Sequence, residues 1–156
     1  MKHIQQIIEE HGGLAAVQRN YLRIENPPFM RLVIEVVGQI FPNGSCEVSV
    51  GHYGEQNGDA MRDPEITFLV IPSEDGEWQW KPLTFLNDYV GVLQQAASYD
   101  EEGNLEELDP PQSREIHLFS KMWDVNLKQQ GFMEAFHRQH ACTLHGAQIG
   151  ETSAVS

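Results

Sequence analysis

The sequence predicts a single α+β domain: a twisted antiparallel sheet of four to five strands in a meander, packed by an N-terminal and a C-terminal helix. Three observations carry this. Between positions 31 and 85, β-branched and aromatic residues alternate with polar ones. Short turn sequences separate these runs, and short connections favour antiparallel neighbours. Apolar residues recur at helical spacing near both ends of the chain. The 156 residues suffice for one domain with its own core. That domain is placed at 1–140, with a small, polar, flexible tail over 141–156.

Each element has its own warrant. Ile4, Ile7 and Ile8 share one face of a first helix, which Gly12 and Gly13 end. The "LAAVQ" segment adds a helical turn. "ENPPF" then breaks any helix, because proline lacks the amide and restricts the residue before it. "RLVIEVVGQIF" (31–41) reads as a strand with Leu32, Ile34 and Val36 on one face, and "PNG" as the turn after it. "CEVSVGHYG" (46–54) puts Val48, Val50 and His52 on a shared face. A polar loop follows, and "EITFLVIP" (65–72) resumes alternation with Ile66, Phe68 and Val70 inward. After the turn "SEDGE", "WQWKPLTF" (78–85) places Trp78 and Trp80 on one face and Leu83 and Phe85 on the other. Residues 89–98 mix helix and strand formers and are read as a further strand, with "DEEGN" as a hairpin turn.

Asp109 caps the last main helix, Pro110 suits its first position and Gln112 completes a capping box. Ile116, Phe119, Trp123 and Leu127 form its apolar stripe. Leu118, Met122 and Val125 widen that stripe and predict a broadly buried helix. Gly131 stops it, and "FMEAFHRQH" forms a short second helix. The sheet face away from the helices carries Arg31, Glu35, Glu47, Ser49 and Tyr53, a surface for a ligand or partner rather than a second core.

Composition narrows the function. Asp and Glu number 23 against 10 Lys and Arg, a formal charge of −13. Such a charge disfavours direct contact with nucleic acid or anionic lipid and would suit a basic protein partner, but a plain solvated surface is the weightier reading of it. No apolar run reaches the roughly 18 residues of a membrane span. "MKHIQQIIEEHGG" is too polar and acidic for a signal peptide. Cys46 and Cys142 stand alone and read as free thiols of a reducing cytoplasm. Self-association through sheet edges or the exposed face is compatible with this pattern.

The densest chemistry lies in "GHYGEQNGDAMRDPEITF" (51–68). His52, Glu55, Asp59, Asp63 and Glu65 are acceptable ligand types for Mg²⁺, Mn²⁺ or Zn²⁺. One reading is therefore a metal-dependent, hydrolase-like enzyme using His52, Glu55, Asp59 and Asp63. The spacing matches neither a calcium loop nor a zincin helix, and Thr67 stands where a common nuclease pattern has lysine. The structural reading outweighs it. Asn57 and Gly58 permit a turn, Asp59 and Asp63 bond local amides, Asp63 before Pro64 opens a strand, and Glu65 pairs with Arg62 or Arg31. As a binding surface the same stretch offers His52, Tyr53, Glu55, Asp59 and Glu65. No resident metal or cofactor is expected. His137, His140, Cys142 and His145 are zinc-type ligands, but their spacing fits no standard module and reads as a chance cluster. There is no Gly-x-Ser-x-Gly elbow and no phosphate loop. Trp78, Trp80, Phe119 and Trp123 read as core rather than a base-stacking platform, lacking interleaved Lys or Arg.

Three segments, "HYGEQNGDAMRDPEITF", "PLTFLNDYVGV" and "FSKMWDVNLKQQGF", resemble an uncharacterised family of small bacterial domains carried by plasmids, phages and integrative elements. In outline the chain is also similar to a second uncharacterised proteobacterial family. The resemblance covers roughly residues 1–133. It implies an α+β domain with an antiparallel sheet in a mobile-element setting, and no catalytic residue. The expected function is a non-catalytic binding or accessory protein that acts through an acidic surface on a protein partner.

Overall fold

A computed structural model describes residues 1–141. The elements run α1 (Lys2–His11), α2 (Leu14–Arg19), β1 (Leu22–Asn26), β2 (Phe29–Val37), β3 (Cys46–Gln56), β4 (Asp59–Ile71), β5 (Gln79–Asn87), β6 (Val92–Gln95), β7 (Ala97–Tyr99), β8 (Leu105–Glu107) and α3 (Pro110–Gln129). A further helix, α4, is present over 132–141. Strands β1 to β6 form one antiparallel sheet in sequence order, and β7 and β8 form a separate hairpin. The α+β class and the meander are as the alternation predicts. Among the described residues no helix is long and apolar enough to cross a membrane.

The strand count exceeds the expected four to five for identifiable reasons. Leu22 and Ile24 are buried between exposed Arg23 and Glu25, so β1 is a real half-buried strand. The proline pair at 27–28 does not merely end a helix; it turns β1 back onto β2, with Asn26 opposite Phe29. The 89–98 segment splits at Ala96, whose amide bonds Leu83 O at 2.8 Å and whose carbonyl accepts from Leu108 N and Asp109 N. The β7–β8 hairpin therefore returns the chain to Ala96, and α3 starts from there.

One sheet face packs on the helices. Leu32, Ile34, Val48, Val50, Ile66, Phe68 and Val70 are fully buried there, against Ile4, Ile7 and Ile8 of α1, Trp123 and Leu127 of α3, and Phe132 and Phe136 of α4. Trp78 and Trp80 join this face as expected, but so does Phe85, edge-on to Phe119. The correction lies in a bulge. Phe68 pairs with Pro82 while Thr67 pairs with Thr84, so Leu83 and Thr84 fall on the same side and the alternation flips. Leu83 packs with Leu69 and Ala97 in a small cluster on the opposite face, under the β7–β8 hairpin. That face thus holds a minor second core, which the sequence reading denied it.

The α3 helix follows the predicted cap: Asp109 Oδ1 accepts from Gln112 N at 3.1 Å. Its buried stripe is narrower than expected. Ile116, Ser120, Trp123, Asp124 and Leu127 face inward, whereas Leu118, Met122 and Val125 are 67%, 56% and 46% exposed. Of the two polar residues in the inward stripe, Ser120 donates to His117 O within the helix and Asp124 serves another element. Asp124 accepts from His3 N (3.1 Å) and Ile4 N (3.2 Å), and His3 Nδ1 lies 2.9 Å from its Oδ2. Helix α1 has no side-chain cap of its own and no acid in its first turn. A carboxylate from α3 therefore satisfies two of its orphan amides.

Candidate functional site

The stretch 51–68 is a long hairpin rather than a loop between strands. Asn57 (φ 54°) and Gly58 (φ 85°) form its two-residue turn, the left-handed pair that matches strand twist. Pro64 cannot donate to a ladder, and the register shifts beside it: Gly51 faces Glu65, but Tyr53 faces Arg62. The last β2 pair is Arg31 with Tyr53, and the first β5 pair is Glu65 with Leu86. Residues 54–61 are consequently a two-stranded arm that pairs with no third strand among the described residues, with Met30 and Tyr89 packed close to Gly54 at its base.

The candidate residues divide. His52 leaves the group: it continues the inward face of Val48 and Val50 and is 8% exposed. Its ring lies 5.5 Å from Trp123 and 5.4 Å from Phe132, and Nδ1 donates to Arg31 O at 3.4 Å. Tyr53 and Glu65 meet on the opposite face, the phenol donating to Oε2 at 2.9 Å. Arg62 Nη1 stands 3.7 Å from the same carboxylate and grips Asp88 through Nε (2.9 Å) and Nη2 (3.2 Å). Asp63 accepts from the Asn87 side chain, not from a local amide. Glu55 and Asp59 lie exposed in the arm, opposite Ala60 and Gln56. The hydrolase set His52, Glu55, Asp59 and Asp63 is therefore not brought together. Among the described residues no group of three or more His, Cys, Asp or Glu side chains is placed to hold a metal ion. Of the C-terminal set, His137 contacts Glu10 and His140 stacks on Phe136; Cys142 and His145 lie outside the described residues.

Beyond Tyr53 and Glu65 the face away from the helices carries a polar row across five strands: Glu35, Ser49, Thr67, Thr84 and Gln95 stand side by side, with Ser49 and Thr67 buried. Thr67 and Thr84 share a 2.6 Å hydrogen bond. Tyr99 of the covering hairpin donates to Glu47 at 2.9 Å. Burial raises the Glu47 carboxyl above its usual range; the Tyr99 bond opposes this and the charge of Glu65 adds to it. Burial, and then the bond to Glu47, pushes the Tyr99 phenol up to about 12. Burial raises the Cys46 thiol to about 11, so it packs as an inert hydrophobe.

The buried imidazole gives a pH prediction. Burial lowers the His52 pKa, outweighing its backbone bonds and the Asp63 charge. The unfolded chain then binds a proton near pH 6.5 that the folded chain refuses, so stability should fall as pH drops through that value. His117 is lowered too, by burial first, and adds to the same slope. Urea midpoints measured between about pH 7.5 and 5.5 should decline for the wild type and decline less for His52→Gln. An unchanged slope in the variant would mean that the imidazole is not buried as described.

A second feature was missed by sequence reasoning. The start of α1, the middle of α3 and the head of β5 enclose a groove of about 840 Å³. Lys2, Lys81, Arg114 and Lys121 line it with His117, Trp78 and Trp80. The groove holds four of the ten Lys and Arg but, in Glu77 and Glu107, two of the 23 acids. Among the described residues none of these four cations forms an ion pair. The signal was present in pieces: Arg114, His117 and Lys121 recur at helical spacing, and Lys81 follows Trp80.

Fold and surface define the class: an α+β domain on an antiparallel meander, helices at both ends, with the second sheet face partly covered by the β7–β8 hairpin. The chain belongs to the family described as Domain of unknown function (DUF6908), whose model matches residues 2–133. No curated protein and no solved structure matches the chain.

Proposed function

We propose that this chain is a non-catalytic binding domain that docks a basic protein partner through the β3–β4 arm and the polar sheet face beside it. The observation that carries the reading is the arm itself. Residues 54–61 contain Glu55 and Asp59 and no Lys or Arg, and neither arm edge pairs with a further strand among the described residues. An extended segment can add to such an edge, and carboxylates select a cationic one. Tyr53, Glu65 and Glu35 continue the surface onto the sheet. The negative charge also keeps copies of the chain from pairing edge to edge. In the same proposal the domain is an accessory protein of a bacterial mobile element, working in the cytoplasm; the resemblance of its motifs supports that setting.

The test is a capture from host lysate with full-length chain, comparing wild type with Glu55→Lys/Asp59→Lys. Wild type should retain a basic protein that leaves as salt rises past the point where exposed charges are screened, about 0.15 M and above. The charge-reversed variant, with unchanged circular dichroism, should retain none. Equal capture by both, or none by the wild type at low salt, would refute the reading.

A further inference from the structure

We propose that the groove between α1, α3 and β5 binds a small organic anion bearing a planar ring, of the nucleoside monophosphate class. This is independent of the β3–β4 arm. The first support is charge. In a chain of net charge −13, four cations from three separate elements face one groove without an acidic partner among the described residues. Unpaired like charges repel, and a bound anion relieves that repulsion. The Arg114 fork and the flanking ammonium groups suit a phosphate dianion with several acceptor oxygens. The cations are close enough to act together: Lys121 and Lys81, on different elements, both help to lower the His117 pKa after burial.

The second support is the tryptophan pair. Trp78 and Trp80 stack with centroids 6.4 Å apart and planes at 26°. Trp80 is 7% exposed and also in edge contact with Phe68, while Trp78 is the half-buried, less enclosed ring of the stack. Lys81 follows them directly, and the fold brings Arg114 and Lys121 to the same groove. The interleaving of base platform and cation that the linear sequence lacks is thus made by topology. Third, the buried Trp80 indole Nε1 has no hydrogen-bond partner among the described residues, an exception that buried polar groups rarely tolerate. The groove volume lies within the 300–1,000 Å³ typical of small-molecule sites, roughly. Size selects the ligand as well: a polynucleotide would meet the acidic remainder of the surface, whereas a single nucleotide meets a groove where four cations face two acids.

The experiment titrates purine and pyrimidine nucleoside monophosphates, the corresponding nucleosides, inorganic phosphate and a Glu-rich peptide into the full chain, read by tryptophan fluorescence and calorimetry. At least one monophosphate should bind saturably, with Kd below about 1 mM. Its nucleoside, inorganic phosphate and the peptide should each bind at least about tenfold more weakly. Arg114→Gln/Lys121→Gln, both exposed positions, should weaken the monophosphate by about tenfold or more. Trp78→Ala should do the same while sparing phosphate, and Glu55→Lys/Asp59→Lys should change nothing. No saturable monophosphate binding, or binding indifferent to the Arg114/Lys121 pair, overturns the proposal. Phosphate binding as tightly as the nucleotide reduces the site to a simple anion trap, and tighter peptide binding makes it a protein-docking groove; both overturn it.

Discussion

Replacing Phe68 with alanine should lower the unfolding free energy by about 3–5 kcal/mol, the range for deleting a buried phenyl ring. Phe68 sits in the middle of β4, fully buried, opposite Val48 on one side and Pro82 on the other. Its ring meets the Trp80 face edge-on at 5.3 Å. No neighbour is free to collapse into the void: β3 and β5 are fixed by their ladders and Trp80 by its stack on Trp78. The cavity therefore stays open and the cost lies high in the range. With a domain stability of about 5–15 kcal/mol, the variant should be only marginally folded at 37 °C. Urea unfolding should show a lower midpoint at unchanged slope. A loss below about 1.5 kcal/mol would mean that the core does not centre on β4. Because Trp80 also lines the groove, the variant that still folds in the cold should show a shifted tryptophan emission, whereas Leu69→Ala, on the opposite face, should leave that emission unchanged.

What the sequence disclosed and what it hid follow from the range of the forces involved. Strict alternation is local, so Leu32, Ile34, Val48, Val50, Ile66 and Val70 were assigned to the core face correctly. The same alternation puts His52 on one face with Val48 and Val50, and that face is the buried one, so its use as a member of the polar surface does not hold. A side chain at period two from Val48 and Val50 cannot also point outward. Bulges were invisible because they are decided by the partner strand. Nothing in "WKPLTF" alone says that Pro82 and Thr84 will face adjacent residues of β4. The exposure of Leu118, Met122 and Val125 was hidden for a related reason: helical period defines a stripe, but its width is set by how much sheet lies beneath it. The hairpin turn at Asn57 and Gly58 was legible from the dipeptide; the length of the strands on either side was not, since polar residues can pair as well as apolar ones. The cationic groove is the plainest case. Lys2, Lys81, Arg114 and Lys121 are scattered over the chain, and only the packing of α1, α3 and β5 puts them together.

The substitution Asp124→Ala should cost about 2–4 kcal/mol, because it removes the acceptor of two helix amides and a charge-assisted bond at a buried position. Asp124 is 4% exposed, and its two oxygens serve His3 N and Ile4 N separately. Without it, the first turn of α1 has no side-chain partner among the described residues, and the favourable match between carboxylate and helix dipole is lost. Two explanations of that cost can be separated. If the carboxylate matters through the His3 imidazole, 2.9 Å from Oδ2, removing the imidazole first should abolish most of the penalty. If it matters as a cap supplied by another helix, Asp124→Ala should cost nearly as much in a His3→Ala background as in the wild type. The double-mutant cycle gives the coupling directly. The geometry favours the cap, since two of the three bonds go to backbone, which His3→Ala leaves in place. Asp124→Asn should fall between the two: one oxygen still accepts, while the new amide nitrogen faces a donor it cannot satisfy. A coupling energy equal to the whole penalty would sink the capping account. It would also loosen the tie between α1 and α3 that holds Lys2 across the groove from Arg114 and Lys121.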